Sequence, residues 1–416
     1  MADLIPFKAY RPFSKNVNAI CCRPYDVLNA NEAREICKDN DISFYRVTKP
    51  EICFSDDFDQ YSPEVYKKGK ENFDKLVDNG LMVQDDDENF YVYQLIMGDH
   101  KQSGLVGCCS IDDYFNNVIK KHELTRPDKE KDRKDHVSYS KLNYEPVFLA
   151  YPHVNAIDEL VEDVKQADPI YEFTTDDGIQ HSLWIVNKQE TINAIANLFK
   201  EQVKSIYIAD GHHRTAAGAL AGKELRDENN GNKDDGKLYN NFMAVLFPDN
   251  QLKIIDYNRV VKDLNGIDET SFIASISEKF EIIETSGQYR PESFHHFGMY
   301  LNGKWYKMVS KKETYNAEDP IDVLDVTILS KQILEPLLNI VDLRTDKRID
   351  FVGGVRGLEE LEKRVNSGEM KVAFALHPVS MSHLIEVSDR DMIMPPKVTW
   401  FVPKLRSGLF VYSLVD

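Results

Sequence analysis

A strand, a turn and a helix are predicted in direct succession within residues 205–221, and this segment constrains the fold more than any other. Residues 205–209 are mainly β-branched or aromatic and predict a short buried strand. Residues 215–221 are rich in alanine and glycine, which predicts a helix that packs closely against a neighbour. The sequence Asp-Gly-His-His-Arg at 210–214 therefore lies in the turn, at the start of the helix.

The basic side chains at this helix start predict an anion-binding site. A helix N-terminus carries partial positive charge and unpaired N–H groups, so His212, His213 and Arg214 are mutually unfavourable there. Phosphate relieves the conflict, because backbone N–H groups, Gly211 and Arg214 can reach its oxygens. One alternative is a plain turn in which Asp210 caps the helix. Another is a zinc site at His212 and His213, which is disfavoured because no further Cys or His lies nearby in the sequence.

Charge and cysteine usage narrow the classes of function. Lys and Arg total 51 against 69 Asp and Glu, and the formal net charge of −18 repels polyphosphate chains. We therefore expect no nucleic-acid partner, although one nucleotide could still bind in a local basic pocket. Neither a long apolar stretch nor a signal-peptide pattern is found, which predicts a cytoplasmic protein without a membrane partner. The six cysteines include two adjacent pairs and no CxxC spacing, which is typical of reduced thiols.

The predicted strands and helices do not alternate in strict βαβ order, so the sequence favours an α+β fold. Strands are predicted at 90–96, 103–110, 182–186, 242–247, 303–309, 349–352 and 371–376, the first two as a hairpin. Helices are predicted at 63–79, 156–166, 190–202, 269–279, 321–338 and 358–365. The polar residues 226–236 predict a mobile loop.

A second candidate site lies at His122 and Glu123, shortly before Arg126. A glutamate beside a histidine and an arginine is a plausible general base, although the spacing alone is a weak signal. The charged run that follows, residues 129–136, predicts a solvated helical face.

Two further segments contain residues that suit a binding site. Pro395 and Pro396 predict the start of an apolar strand that would hold Lys397 and Thr399 as phosphate contacts. A structural turn before an edge strand explains the same prolines. Asp26, in the turn at 24–27, could cap a helix at 29–37 or bind magnesium.

Three of these motifs together resemble free serine kinase, of the ParB–sulfiredoxin superfamily. They are Asp-Gly-His-His-Arg at 210–214, His-Glu at 122–123, and Pro-Lys-Val-Thr at 396–399, where the kinase has Pro-Lys-Thr-Thr. Over its whole length the chain resembles the related domain-of-unknown-function family 1015. Pro-Phe-Lys-Ala-Tyr-Arg-Pro at 6–12, Pro-Tyr-Asp-Val at 24–27, and the C-terminal Pro-Pro-Lys, Pro-Lys-Leu and Ser-Gly-Leu segments carry that second match.

The resemblance implies a kinase for free L-serine or a similar small hydroxylated metabolite, with ATP or ADP as phosphoryl donor and Mg²⁺ as cofactor. Glu123 would be the general base, with His122 beside it, and Asp210 would support the magnesium ion. The implied phosphate-binding residues are Gly211, His212, His213, Arg214, Lys397 and Thr399, and Asp26 and Arg126 are candidate substrate or metal contacts.

The resemblance also implies a domain organisation, with departures from the kinase. A ParB/sulfiredoxin-like mixed-sheet core is expected at 113–265. An insertion near 137–200 would account for the 87 positions between Glu123 and Asp210. An N-terminal α+β extension (1–112), an α+β subdomain (266–370) and a segment returning to the core (371–416) complete the chain. Val398 and Trp400 replace a threonine and a basic residue of the kinase.

Three rival functions follow from the same resemblance. The first is a ParB-like switch that binds or hydrolyses a nucleotide and contacts a protein partner. The second is sulfiredoxin-like chemistry, which is disfavoured because His213 stands where that signature has cysteine. The third is a degenerate, purely structural domain.

Overall fold

The computed structural model describes residues 1–415, which form two compact units. The first unit contains Met1–Leu252 and the C-terminal segment from Pro403, and the second contains Lys253–Val402. The strands are β1 (Leu4–Ile5), β2 (Tyr10–Pro12), β3 (Met82–Gln84), β4 (Phe90–Met97), β5 (His100–Ser110), β6 (Ile119–Lys120), β7 (Leu142–Asn143), β8 (Val147–Tyr151), β9 (Tyr171–Thr174), β10 (Gln180–Val186), β11 (Ile206–Asp210), β12 (Asn241–Pro248), β13 (Lys253–Ile254), β14 (Tyr257–Val261), β15 (Phe280–Thr285), β16 (His296–Leu301), β17 (Lys304–Ser310), β18 (Ile349–Gly353), β19 (Val372–Leu376), β20 (Phe401–Val402) and β21 (Tyr412–Ser413).

The α-helices follow the same chain order and alternate irregularly with the strands. They are α1 (Val17–Ile20), α2 (Ala30–Cys37), α3 (Tyr45–Thr48), α4 (Pro63–Asp78), α5 (Ile111–Phe115), α6 (Pro127–Ser140), α7 (Asn155–Val164), α8 (Gln189–Gln202), α9 (His212–Glu228), α10 (Glu269–Ser277), α11 (Asp325–Leu329), α12 (Glu359–Asn366) and α13 (Met381–Asp389).

A mixed sheet of nine strands forms the centre of the first unit. Its order is β6-β11-β8-β12-β5-β4-β10-β9, with β1 paired to β5. The pairs β6/β11 and β8/β12 are parallel and the others are antiparallel. Strands from residues 1–112, for which the resemblance implies an N-terminal extension, share this sheet with strands from 147–248. Helices α7 and α8 contribute Ile157, Ile195 and Phe199 to the core against the sheet.

Helix α9 packs closely on its neighbours because small residues lie all around its middle turns. Ala216, Ala217 and Ala219 are buried. A Cβ atom at Gly222 would lie 2.3 Å from the carbonyl oxygen of Tyr239, so only glycine fits at this position. The small-residue pattern thus predicted the close packing of this helix correctly.

Helix α6 contains the charged run, and the prediction of a fully solvated face is wrong for part of it. Asp132, His136 and Ser140 are buried, and α6 packs against both α4 and α9. Asp132 accepts hydrogen bonds from the Tyr66 hydroxyl at 3.0 Å and from the Arg133 guanidinium at 2.9 Å. These two hydrogen bonds, rather than contact with solvent, compensate for the burial of the Asp132 carboxylate.

Several local predictions differ from the structure at helix ends. Asn29, not Asp26, caps α2, where it forms a capping box with Glu32. The predicted helix at 321–338 is shorter, because α11 is followed by a π-helical turn at Ser330–Leu334. The polar segment 226–236 begins inside α9, and the Asp235 carboxylate accepts hydrogen bonds from the Tyr239 hydroxyl and the Asn240 amide.

The second unit has its own antiparallel sheet, of order β15-β17-β16-β19-β14-β18. Its core includes Val260, Trp305, Leu361 and Ala373. The predicted strand after Pro396 is restricted to β20, so residues 397 and 399 precede it in irregular backbone. No helix among residues 1–415 is long and apolar enough to cross a membrane. All six cysteines are free, as their spacing predicts.

Candidate functional site

Parallel pairing of two strands brings two distant motifs to one edge of the large sheet. Strand β6 pairs with β11 in the register Tyr207↔Lys120. The chain leaves both strands at their carboxyl ends, which lie at the same edge when strands are parallel. The His122–Glu123 pair therefore emerges beside the turn that follows Asp210.

The turn itself depends on Gly211, which precedes the first residue of α9. Its φ of +89° lies in the left-handed region that favours glycine. A Cβ atom at this position would also lie 3.0 Å from Nε and Nη2 of Arg214. Glycine is therefore required both by the backbone and by the arginine that folds over it. His212, His213 and Arg214 occupy the first turn of α9, as predicted.

Three side chains that can bind a metal ion or accept a proton lie together at this edge. One side-chain ligand atom from each of His122, Glu123 and His212 lies within 4.8 Å of those of the other two. The two imidazole rings meet edge to face with centroids 4.5 Å apart. His122 and His212 are buried, whereas Glu123 is partly exposed. The predicted base and the predicted phosphate turn therefore belong to one site.

Burial keeps both imidazoles uncharged near neutral pH. It lowers the pKa of His122 to about 4, against smaller opposing effects of Asp210 and the backbone at Ile208. Burial, together with the neighbouring His122, lowers the pKa of His212 well below the usual value. The expectation that three charged side chains repel one another at this helix start is therefore wrong for His212, because its ring remains neutral. In this state each ring has a nitrogen lone pair available.

Asp210 lies between two cationic side chains. Its carboxylate accepts hydrogen bonds from Lys404 Nζ at 2.9 Å and from Arg214 Nη2 at 3.1 Å. Burial alone would raise the pKa of Asp210, but Lys404 and Arg214 outweigh it and hold that pKa well below its usual range. Each carboxylate oxygen is thus engaged by a cation, and the plain helix-capping alternative does not hold, because no side-chain cap is present at α9.

Arg214 is turned into the first unit. It is 8% exposed, and its Nη1 donates to the Pro146 carbonyl at 3.1 Å. Burial opposes its charge, whereas Asp26, Glu145 and Asp210 favour it and hold the pKa of Arg214 above its ordinary value. A cavity of about 30 Å³ beside it is lined by Arg133, His136, Glu145 and Gly218, among others. This space suits ordered water rather than a nucleotide.

The remaining predicted site residues are distributed unevenly. His213 Nε2 accepts a hydrogen bond from the Arg126 backbone at 3.0 Å and so connects α9 to the start of α6. The Arg126 side chain is exposed and pairs with Asp128. Asp26 is exposed in its turn. Lys397 and Thr399 belong to the second unit, where the Lys397 carbonyl accepts from Arg259.

Sequence reasoning missed Lys404 and Glu145. Lys404 lies in the Pro-Lys-Leu segment that is part of the family resemblance, and this resemblance was the signal that could have identified it. Glu145 accepts hydrogen bonds from the Tyr25 backbone at 3.1 Å and the Ser407 hydroxyl at 2.7 Å. It thereby joins the turn at 24–27 to the C-terminal segment.

Comparison with known proteins identifies the family. The family model described as a protein of unknown function, DUF1015, matches residues 4–327. The chain belongs to the DUF1015 family. No curated protein matches its sequence.

Solved structures resemble the DUF1015 chain only distantly. A conserved hypothetical protein from Pyrococcus furiosus has 16% identity and a TM-score of 0.35, over 77% of this chain and 95% of its own. Free serine kinase in complex with AMP has 15% identity and a TM-score of 0.34, over 75% and 87%. SbnI with a C-terminal truncation from Staphylococcus aureus has 12% identity and a TM-score of 0.37, over 74% and 87%.

Proposed function

We propose that this chain is a nucleotide-dependent kinase that phosphorylates the hydroxyl of free L-serine or a similar small metabolite. The observation that carries the proposal is the meeting of the His122–Glu123 pair with the first turn of α9 at one sheet edge. A carboxylate for proton removal then lies beside a helix N-terminus suited to phosphate. The order of the three sequence motifs, shared with free serine kinase, supports the same assignment.

The phosphates of ATP or ADP are proposed to bind at the start of α9. This helix has 17 residues, and its first turn contains no acidic side chain. Gly211 has no side chain that could occupy the first N–H groups, so these donors suit phosphate oxygens. His213 is a further proposed contact. That Lys397 and Thr399 contact the nucleotide stays a proposal that rests on the resemblance alone.

Glu123 is proposed to act as general base. The alcohol oxygen attacks the terminal phosphorus while its proton passes to the Glu123 carboxylate, and the bond from that phosphorus to the bridging oxygen breaks. The nucleotide leaves one phosphate shorter. Such a transfer depends mainly on positioning and on stabilising charge at the phosphoryl oxygens. Arg214 contributes indirectly, since it holds Asp210 and packs over Gly211.

Magnesium fits the described side chains poorly. Mg²⁺ takes oxygen ligands in near-octahedral geometry. Both oxygens of Asp210, the predicted ligand, already accept hydrogen bonds from Lys404 and Arg214. The cluster of His122, Glu123 and His212 offers two nitrogens and only one carboxylate oxygen. A magnesium ion would therefore reach this site with the nucleotide phosphates rather than on protein ligands.

The proposal is tested by incubating the purified protein with ATP or ADP, Mg²⁺ and a panel of small alcohols that includes L-serine. Phosphorus NMR identifies the products. A phosphomonoester that forms with one alcohol and is absent with its deoxy analogue is the expected result. L-alanine is the matched control for L-serine. Nucleotide consumption that no alcohol accelerates would contradict the kinase and indicate the nucleotide-hydrolysing switch.

A further inference from the structure

We propose that His122, Glu123 and His212 form a binding site for one divalent transition-metal ion of the zinc class. This inference does not rest on the proposed kinase activity, because metal binding needs neither nucleotide nor alcohol. While Glu123 binds the ion it cannot also act as the general base, so the two roles belong to different states of the site. It replaces the zinc site first considered at His212 and His213, with His122 and Glu123 supplying the ligands that the neighbouring sequence lacks.

Unsatisfied ring nitrogens are the first observation. Within residues 1–415, no hydrogen bond of ordinary geometry reaches either nitrogen of His122 or Nε2 of His212, the Ile208 backbone making only a marginal contact with His122, and both residues are at least nine-tenths buried. Buried polar atoms are normally paired, so an orphaned pair of imidazoles calls for an explanation. An imidazole nitrogen without a hydrogen-bond partner is a common ligand of transition metals.

The donor set and its spacing are the second observation. Two imidazole nitrogens and one carboxylate oxygen are three protein ligands, which leave a further position open, as in zinc sites that bind water or substrate. Bonds of about 2.0–2.2 Å place ligand atoms at most roughly 4 Å apart, so atoms within 4.8 Å of one another need to close by about 1 Å. Of the three side chains only Glu123 is partly exposed, so it has the most room to approach the imidazoles.

The helix start does not prevent cation binding here. The partial positive charge at the N-terminus of α9 opposes a cation. That effect is small beside three direct coordinate bonds, and the Glu123 carboxylate adds a full negative charge.

Metal binding is tested by titrating the purified full chain with Co²⁺ and then Zn²⁺, without nucleotide. Cobalt reports its own coordination through visible absorption bands, and elemental analysis after gel filtration gives the stoichiometry. One Co²⁺ per chain, with intense bands of low coordination number that Zn²⁺ abolishes, is the expected result. Weak absorption typical of hydrated cobalt, or no retained metal, would overturn the proposal.

Variants locate the ion. His212→Gln and Glu123→Gln should each weaken Co²⁺ binding by at least about tenfold, since changes even to the partners of metal ligands commonly cost 10–100-fold. The matched control is His136→Gln, because His136 is also buried and has an unpartnered Nε2, but lies outside the cluster. If circular dichroism shows that His212→Gln does not fold, Glu123→Gln still provides the test, because Glu123 is partly exposed. Equal loss of binding in the control would contradict the assignment.

Discussion

Replacing Gly211 by alanine tests the architecture of the turn. The substitution places a β-carbon on a residue with φ of +89°, which costs about 1–2 kcal/mol. It also obliges the buried Arg214 guanidinium to shift by a few tenths of an ångström, since the new atom would lie 3.0 Å from two of its nitrogens, and this strains hydrogen bonds that are already 3.1 Å long. Loss of one charged hydrogen bond from Arg214 to Pro146 or Asp210 adds about 1.5–3 kcal/mol. We therefore expect a total destabilisation of roughly 2.5–5 kcal/mol.

Gly80 provides the matched control for this variant. Its φ is +65°, and nothing lies within 4 Å of the position of an added Cβ atom. Gly80→Ala therefore bears the backbone cost alone, about 1–2 kcal/mol. Both variants gain equally from the restricted unfolded chain, so the difference between them isolates the displacement of Arg214.

Hydrogen exchange of the β11 and α9 peptides in increasing urea measures the local free energy of unfolding in both variants. Following peptides of the first unit avoids the assumption that the two units unfold together. A loss for Gly211→Ala that exceeds the loss for Gly80→Ala by about 1.5–3 kcal/mol is expected. Equal losses would refute the account of the turn, because they would show that Arg214 moves without consequence.

Three further outcomes are expected. Glu123→Gln should abolish phosphoryl transfer and leave the nucleotide dissociation constant nearly unchanged, and calorimetry that shows both lost together would refute the role of base. Burial raises the pKa of Asp325 to about 8, so stability falls as pH rises from about 4 to 8. Asp325→Asn should therefore raise the melting temperature at pH 8.5 and have little effect at pH 4, whereas a difference that does not depend on pH would contradict this explanation. Gly222→Ala should destabilise α9 by roughly 1–2 kcal/mol despite the better helix propensity of alanine, since its Cβ atom would lie 2.3 Å from a carbonyl oxygen; a stabilised variant would show that the helix can shift.

Local features of the site could be predicted from the sequence. The strand, the turn and the helix at 205–221 follow from apolar alternation, a glycine and a run of small residues, all of which act within a few positions. The structure confirms each of them, as β11, Gly211 and α9. The hairpin of β4 and β5 was predictable for the same reason.

Long-range features could not be predicted from the spacing of residues. Glu123 lies 87 positions before Asp210, and the two segments meet only because the two-residue strand β6 pairs in parallel with β11. Such a short strand leaves almost no periodic signal. Lys404 is equally hidden, because 194 positions separate it from its partner Asp210.

The charge state of the turn was also beyond sequence reasoning. The residues around His212 suggest three adjacent positive charges, but burial decides whether an imidazole is protonated. Helix α6 shows the same difficulty: its charged run indicates a solvated surface, yet Asp132 is buried with a tyrosine and an arginine as partners.

A structure of the protein with bound ADP and an unreactive alcohol analogue tests the central claim most directly. The account predicts phosphate oxygens within hydrogen-bonding distance of the backbone N–H groups of His212 and His213, with the Glu123 carboxylate facing the alcohol oxygen. Phosphates bound elsewhere in the molecule, with the start of α9 uninvolved, would contradict it.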